Sequence, residues 1–391
     1  MKRQLIACLV LMLSVSFISG CWDQKSIEDL NYLSAFGIDY QNNQYVLYAQ
    51  STDLSSVSKQ KETPPNTSKT PVIISIGRGE TLQSAMDNMQ KDAQIPLFFG
   101  FVSTLIYHER MLQKDVIATF DILNRYGLLR YTKWVFGTRE PISEVLSNHS
   151  VTGFSPLNSL LHQPQDVYKQ RSFIEPIRYF TFISRFWEPS NTVIIPNISI
   201  YKYAWKENEN FISRLTIDGI HAVYRGKWNG FFPNNDLLGL RWMNPHTEFA
   251  GLIIEEDKKP KATLRIQNVR VIVTPIKVGE NPRFRVDIHM NGFVRELMGK
   301  ISAEYIKKDA QIQIEKQIKG TFLKGVAAGT DLYGFEEALY KQDVNAWKQF
   351  AKNHNNKIKA DALAEVNIHV RLSDSGKMKL NWYHYPEHLL P

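Results

Sequence analysis

The chain begins with a segment that is typical of an export signal. Lys2 and Arg3 are followed by an almost unbroken apolar run from residue 5 to residue 18. A cationic start, an apolar segment and small residues, in that order, characterise a secretory signal peptide. The apolar run is shorter than the roughly 20 residues that a membrane-spanning helix needs. The sequence therefore predicts that residues 1–20 form a signal peptide and that the folded part of the chain lies outside the cytoplasm.

The signal segment ends in Ile18-Ser19-Gly20-Cys21, which resembles a bacterial lipobox. In such a motif small residues let the peptidase approach, and cleavage follows Gly20. The resemblance implies that Cys21 becomes an N-palmitoyl, S-diacylglyceryl cysteine. Several acyl chains would hold the protein on a membrane, whereas one chain gives only marginal binding. A plain signal peptide with an incidental cysteine and an uncleaved anchor are the alternatives.

Cysteine content and charge restrict the chemistry of the exported part. The chain has two cysteines, Cys8 and Cys21, and neither would keep a free thiol after cleavage and lipidation. A disulfide, a cysteine metal site and a cysteine nucleophile are then excluded. The formal net charge is +8, and loss of Lys2 and Arg3 would lower it by 2 to +6. A basic body favours anionic lipid headgroups, while export and dispersed charges argue against nucleic-acid binding.

The length and composition indicate a folded, multidomain protein. A chain of 391 residues is too long for one ordinary hydrophobic core. Its residues are 43% hydrophobic and 12% aromatic, a composition that is too apolar for a disordered chain. The predicted fold class is α+β. We expect an N-terminal α/β domain over residues 21–205, with a candidate subdivision near 140–190. A C-terminal α+β domain is expected over residues 206–391.

Hydrophobic periodicity predicts a mixed α/β arrangement in the N-terminal half. The helix after the Gly77-Arg78-Gly79 turn should bury Leu82, Ala85, Met86 and Met89. Leu82 stands where a dinucleotide fingerprint needs a third glycine, so the turn predicts packing and not nucleotide binding. The expected elements are a helix over 22–33, a hairpin of strands 35–39 and 45–49, strand 71–77, helix 81–91, strand 101–108, helix 114–125 and strand 131–138.

The C-terminal half predicts an antiparallel sheet packed with long helices. The longest helix should bury Ile306, Ala310, Ile314 and Ile318 on one face. The expected elements are strands 192–203, 211–217, 219–224 and 227–232, a helix over 235–242, strands 250–257, 261–275 and 283–295, a helix over 303–324, a helix carrying Trp347, and a last hairpin of 365–372 with 378–382.

Three segments of the chain resemble the Ger(x)C family, the GerAC-like lipoprotein C subunits of bacterial spore germinant receptors. Tyr224 and Arg225 depart from that family pattern, which has Phe and Lys at these positions. The segments are Cys21-Trp22-Asp23 with Ile27-Glu28, Leu30 and Gly37-Ile38-Asp39, then Ile217-Asp218-Gly219 with Ala222 to Lys227, and finally Asp331, Gly334 and Phe335 with Trp347.

The resemblance implies a lipid-anchored, non-enzymatic receptor subunit on the outer face of the cell membrane or the spore inner membrane. Its expected partners are two integral membrane subunits, of the A type and the B type, and membrane lipid through Cys21. It would be needed for receptor assembly or for signalling when nutrients trigger germination. Ligand recognition is expected to lie in a membrane partner, since no pocket signature is apparent.

No set of catalytic motifs is complete in the sequence. The ten histidines lack ligand spacing, and neither a Gly-x-Ser-x-Gly motif nor a phosphate loop occurs. We therefore expect no catalytic residue, no cofactor and no metal site. Two other classes stay open: a solute-binding lipoprotein of a transport system, which ligand would stabilise against heat, and a lipid-anchored envelope enzyme.

Overall fold

The computed structural model describes residues 3–4, 29–52, 72–125, 130–148, 157–299, 301–352 and 357–373. Cys21, the rest of the predicted lipobox and the second strand of the predicted last hairpin lie outside these residues. No helix in the part that the structure describes is both long and apolar enough to cross a bilayer.

The first sheet contains ten of the strands formed by the described residues. Its main path runs β10-β9-β8-β6-β5-β1-β2-β3, while β4 pairs with β1 and β7 with β6. β1 is parallel to β5, β5 to β6, and β6 to β8. The strands are β1 (Asn31–Gln41), β2 (Gln44–Ser51), β3 (Ile73–Gly79), β4 (Leu97–Phe98), β5 (Thr104–His108), β6 (Trp134–Thr138), β7 (Ile177–Arg178), β8 (Thr192–Glu207), β9 (Asn210–Tyr224) and β10 (Lys227–Pro233).

The hairpin of β1 and β2 confirms the first predicted strand pair. Its two turn residues, Asn42 and Asn43, have φ angles of 51° and 62°, a backbone conformation that asparagine tolerates. The helix predicted over residues 22–33 is wrong for residues 31–33, because β1 begins at Asn31, and residues 22–28 of that prediction lie outside the described residues. Leu33 is fully buried and pairs with Ser51, so strand pairing overrides the helical spacing of the leucines.

Helices cover the first sheet, and the first of them matches its prediction closely. The buried residues of α1 are Leu82, Ala85, Met86 and Met89, as expected. Thr81 caps it, since the backbone N–H of Ser84 donates to the threonine hydroxyl at 3.0 Å. The helices of this half are α1 (Leu82–Lys91), α2 (Glu109–Lys114), α3 (Ile117–Arg125), α4 (Ile142–Ser147), α5 (Pro164–Gln170) and α6 (Tyr179–Trp187).

The second sheet has the order β11-β12-β13-β14. The predicted antiparallel pairing holds for β11 to β13, whereas β14 is parallel to β13. Parallel strands need a long crossover, and α7 to α9 supply it; α7 buries the four residues predicted to face the core. The elements are β11 (Ala250–Glu256), β12 (Lys259–Lys277), β13 (Arg283–Leu297), α7 (Ala303–Ala327), α8 (Phe335–Gln342), α9 (Val344–Lys352) and β14 (Leu363–Ser373).

The predicted helix over residues 235–242 is replaced by two short 3-10 turns, Asn234–Asp236 and Leu240–Trp242. Contacts with α7 explain the difference. The indole N–H of the fully buried Trp242 donates to the Gln317 amide oxygen at 2.8 Å. The backbone N–H of Gly239 donates to the Thr321 hydroxyl at 2.9 Å, so the segment bends to follow the longer helix.

The two sheets divide the chain at a different point from the predicted domain boundary. Residue 205 lies inside β8, and the first sheet continues through β10 to Pro233. The second sheet starts at Ala250. The predicted domains, residues 21–205 with a subdivision near 140–190 and residues 206–391, stay a prediction from the sequence.

Replacing Gly77 by Ala should destabilise the protein, because the added methyl group would fall on the carbonyl oxygen of Ala85. Overpacking of this kind costs about 1–3 kcal/mol. Gly251→Ala is the matched control, since a methyl group on that β11 residue meets nothing within 4 Å. Urea unfolding followed by circular dichroism should give a lower midpoint for Gly77→Ala alone. Equal midpoints for the two variants would contradict the close approach of β3 and α1.

Candidate functional site

The carboxyl ends of β1 and β5 hold a buried acidic residue of the first family-like segment, Asp39. The Arg110 guanidinium donates to its carboxylate at 3.0 and 2.6 Å, the backbone N–H of Tyr40 donates at 2.7 Å, and the Gln41 side chain also donates to it. Burial alone would raise the pKa of Asp39, but the hydrogen bonds from Arg110 and Gln41 outweigh burial and lower it. The carboxylate is therefore a fixed negative charge that orients its neighbours.

A chain of hydrogen bonds fixes His221, which lies on β9 within the second family-like segment. The Trp228 indole N–H donates to Nδ1 of His221 at 3.3 Å, and Nε2–H can then donate to the Asn197 amide oxygen at 2.8 Å. The amide N–H of Asn197 in turn donates to Asp218 at 2.6 Å. This arrangement uses the neutral imidazole, since a protonated Nδ1 would face the indole N–H.

Burial opposes protonation of His221 and lowers its pKa to about 3. Arg139 and His108 act in the same direction through their charges. The nearest opposite charge is the carboxylate of Glu109, whose oxygen lies 3.9 Å from Nδ1 and 3.3 Å from Nε of Arg139. The imidazole is fully buried, so it is a structural group and not an exposed acid or base.

The folded protein should lose stability in mild acid because of His221. Below the ordinary histidine pKa of 6.5, the unfolded chain binds a proton that the folded chain refuses until about pH 3. As the pH falls through this window, a buried histidine of this kind lowers the free energy of unfolding by up to about 1.4 kcal/mol per pH unit. His221→Gln keeps one donor and one acceptor without titrating, so its stability should fall less between about pH 7 and about pH 5.

The control for this measurement is His246→Gln, because the His246 side chain is 67% exposed. Urea unfolding midpoints at both pH values should give the wild-type pH dependence for the control and a flatter one for His221→Gln. Parallel curves for all three proteins would rule out His221 as the source of acid sensitivity.

The second and third family-like segments meet at a buried acidic residue, Glu336. The guanidinium of Arg225 donates to the two carboxylate oxygens at 3.0 and 3.1 Å, and the Tyr224 hydroxyl also donates to it. Burial raises the pKa of Glu336, whereas the Arg225 guanidinium, 3.0 Å from the carboxylate, opposes that shift by favouring the charged form. These contacts connect the end of β9 in the first sheet with α8 in the second layer.

Asp331 builds the turn that presents Glu336. Its carboxylate accepts hydrogen bonds from the backbone N–H groups of Tyr333 at 3.2 Å and Glu336 at 2.8 Å, at the start of α8. Gly334 has a φ of 70°, which explains why glycine stands there. The carbonyl oxygen of Asp331 accepts from the Thr192 hydroxyl at 2.6 Å, a second contact between the two halves.

A cavity of about 480 Å³ lies beside this junction. Its size falls within the usual range for small-molecule pockets. Several of its charged side chains have partners: Nδ1 of His246 is 2.9 Å from Glu175, and the Arg178 guanidinium lies 3.3 Å from the Trp134 ring centre. The apolar part of the lining includes Ile194, Leu240 and Met243. The cavity can hold a small molecule but offers no arranged catalytic groups.

Metal-binding clusters do not occur among the described residues: nowhere do three or more His, Cys, Asp or Glu side chains come together in a suitable arrangement. The acidic residues named above are each occupied by hydrogen bonds or by a cation. The junction and the polar chain around His221 therefore act as structural connections in this part of the protein.

Comparison with known proteins identifies the family. Residues 23–200 match the family described as "Spore germination protein N-terminal domain", and residues 218–376 match "Spore germination B3/ GerAC like, C-terminal". The chain belongs to the GerAC-like family of spore germination proteins. The two matched regions cover most of the chain and contain all three segments that carry the resemblance, apart from Cys21, Trp22 and Ile217.

Individual relatives agree with this assignment. Spore germination protein KC of Bacillus subtilis is 20% identical and aligns with 94% of this chain and 96% of its own length. Spore germination protein YndF of the same organism is 22% identical, with the same coverage. The crystal structure of the GerBC protein matches with a TM-score of 0.54 at 15% identity, covering 88% of this chain and 97% of that one. The last comparison confirms the α+β multidomain fold.

The family-like segments include Tyr224, Arg225 and Asp331, but no pattern in the sequence indicates Glu336, which connects the second segment with the third. Cys21, the one predicted modification site, lies outside the described residues. Glu336 follows a glycine and a phenylalanine at a helix start, where acidic side chains commonly face solvent and favour the helix dipole. The glycine at 334 and the aspartate at 331 were the available signals, because together they indicate a constrained helix start.

Replacing Glu336 by Ala should weaken the junction, because it leaves Arg225 and the Tyr224 hydroxyl without their buried acceptor. Removing one member of a buried pair costs about 3 kcal/mol or more. Glu337→Ala is the matched control, since that neighbour is partly exposed and pairs with Lys341 at 2.5 Å on the helix surface. Its loss should cost less than about 1 kcal/mol. Urea unfolding of both variants tests this, and similar midpoints would contradict a buried connection.

Proposed function

We propose that this chain is the lipid-anchored C subunit of a spore nutrient germinant receptor. The observation that carries the proposal is the match of both halves to spore germination families, directly after a lipobox-like segment. Cys21 would be cleaved after Gly20 and carry S-diacylglyceryl and N-palmitoyl groups. The folded body would then lie on the outer face of the cell membrane or spore inner membrane.

The proposed partners are two integral membrane receptor subunits, of the A type and the B type. The subunit would dock on their extracytoplasmic surfaces and be needed for receptor assembly or signalling. We assign it no enzymatic activity, cofactor, metal or nucleic-acid partner. The family relationship supports the receptor role, and the paired charges around the junction cavity are consistent with a structural part in it.

Replacing Cys21 by Ala should release the protein from the membrane and weaken nutrient-triggered germination. The lipid supplies about 0.8 kcal/mol per buried methylene group, and the substitution removes the atom that carries it. Spores of the variant should be examined by membrane fractionation, partner co-purification and germination in nutrient. Cys8→Ala is the matched control, since Cys8 would be lost with the signal peptide.

The outcomes separate the receptor role from the alternative. Loss of anchoring with a weakened nutrient response, and a normal Cys8→Ala strain, would support the receptor subunit. Intact germination without anchoring, together with no partner recovered with the wild-type protein, would favour a solute-binding lipoprotein. Membrane association that survives Cys21→Ala would overturn the proposed lipid anchor.

A further inference from the structure

Aromatic side chains gather at one end of the first sheet, where its parallel strands begin. Ala35 is level with Thr104, which is level with Trp134, in the register of β1, β5 and β6. Three residues before each of these positions stand Tyr32, Phe101 and Tyr131. Phe98 pairs with Tyr32 through β4, and the backbone N–H of Phe180 donates to the carbonyl of Tyr131 at 3.0 Å. We call these five aromatic residues the amino edge.

Four of the five residues of the amino edge are solvent-exposed although their rings are apolar. Phe98 and Phe101 are 38% and 41% exposed, and Tyr131 and Phe180 are 53% and 54% exposed. The Tyr32 ring packs edge-on against Phe98 at 5.4 Å and Phe101 at 6.3 Å, so this part of the edge is an ordered cluster. Grouped apolar side chains on a surface usually mark a contact with a protein or a membrane.

The position of the predicted lipid anchor indicates that the amino edge contacts a membrane. Cys21 precedes Asp29, from which the structure describes the chain onward, by eight residues, and eight residues span at most about 28 Å when fully extended. Two residues later Asn31 begins β1 beside the amino edge. We propose that the amino edge rests on the lipid bilayer, with its aromatic rings at the level of the headgroups. This inference rests on the proposed lipid anchor.

The chemistry of the edge suits that contact. Tyr and Trp rings favour the membrane interface because one part is apolar and another can hydrogen-bond with water. Phenylalanines add apolar area that can insert into the headgroup and acyl boundary. Two short-range contributions, the acyl chains and the aromatic edge, would then fix both the distance and the orientation of the body.

The opposite end of the sheet provides an internal comparison. The tip of the β8–β9 hairpin also exposes aromatic residues, with Tyr203 71% and Trp205 56% exposed. Ala35 of β1 is level with Thr104 and Trp134, and the pairing of Gly137 with Asn197 makes Trp134 level with Ile194 of β8. Counting back four residues, Asn31 is level with residue 190, which precedes Tyr203 by thirteen residues. At about 3.3 Å per residue, the tip lies on the order of 40 Å from the start of β1. The tether is too short to bring both ends to the bilayer while the strands stand upright.

Single-cysteine labelling of the full lipidated chain tests the orientation. The mature protein would have no other free thiol, so Phe98→Cys and Tyr203→Cys each take one environment-sensitive nitrobenzoxadiazole label. Both labelled proteins are reconstituted into vesicles of phosphatidylcholine and phosphatidylglycerol, and vesicle flotation records anchoring. The label at 98 should shift to shorter emission wavelength and lose most of its emission when nitroxide-labelled lipid is included. The label at 203 should do neither.

The outcomes distinguish this inference from the anchor on which it rests. A protein that does not float with the vesicles contradicts the lipid anchor itself. A protein that floats while the label at 98 stays unquenched overturns the membrane contact and leaves the anchor standing. Protection of the label at 98 in spore membranes, without quenching in vesicles, would assign the amino edge to a protein partner and also overturn the proposal.

Discussion

The contact of Glu336 with Tyr224 and Arg225 fixes how the end of β9 in the first sheet meets α8 in the second layer. It takes a carboxylate and part of a guanidinium out of water, which is costly unless both are well paired. The structure meets that condition, because Arg225 reaches both carboxylate oxygens and the tyrosine hydroxyl supplies a further donor. An apolar contact would tolerate sliding, whereas these hydrogen bonds are satisfied in one arrangement only.

Strand β9, which ends at Tyr224, is itself held in place within the first sheet. The same strand carries His221, whose neutral ring is held between Trp228 and Asn197 in the first sheet. Gly137 lies under that ring, where even a methyl group would clash with it. Residues of β9 therefore hold the strand in place through His221 and extend a polar contact to the second layer through Tyr224. Their role in this structure is positional, which explains why they suggest no reaction.

Local patterns were sufficient for much of the fold, and long-range contacts account for the rest. The pair Asn42-Asn43 predicts its hairpin, and the spacing of Ile306, Ala310, Ile314 and Ile318 predicts the buried face of α7. The bend before Trp242 depends on Gln317 and Thr321, more than 70 residues away, so no local pattern indicates it. The burial of Glu336 likewise depends on a distant strand. The parallel pairing of β14 follows from the crossover, which the strand pattern alone does not contain.

The register of the first sheet places the Glu336 junction and the start of β1 at one end and the tip of the β8–β9 hairpin at the other. Thr192 pairs with Tyr224, so the junction with α8 lies at the end where β8 begins. Parallel pairing puts the start of β1, where the chain arrives from Cys21, at that same end. The tether and the second layer therefore join the first sheet at one end, and the β8–β9 hairpin projects from the other. A subunit held by this end would keep its second layer near the membrane and direct the hairpin tip away from it, so a displacement at the Glu336 junction would move the second layer relative to the bilayer.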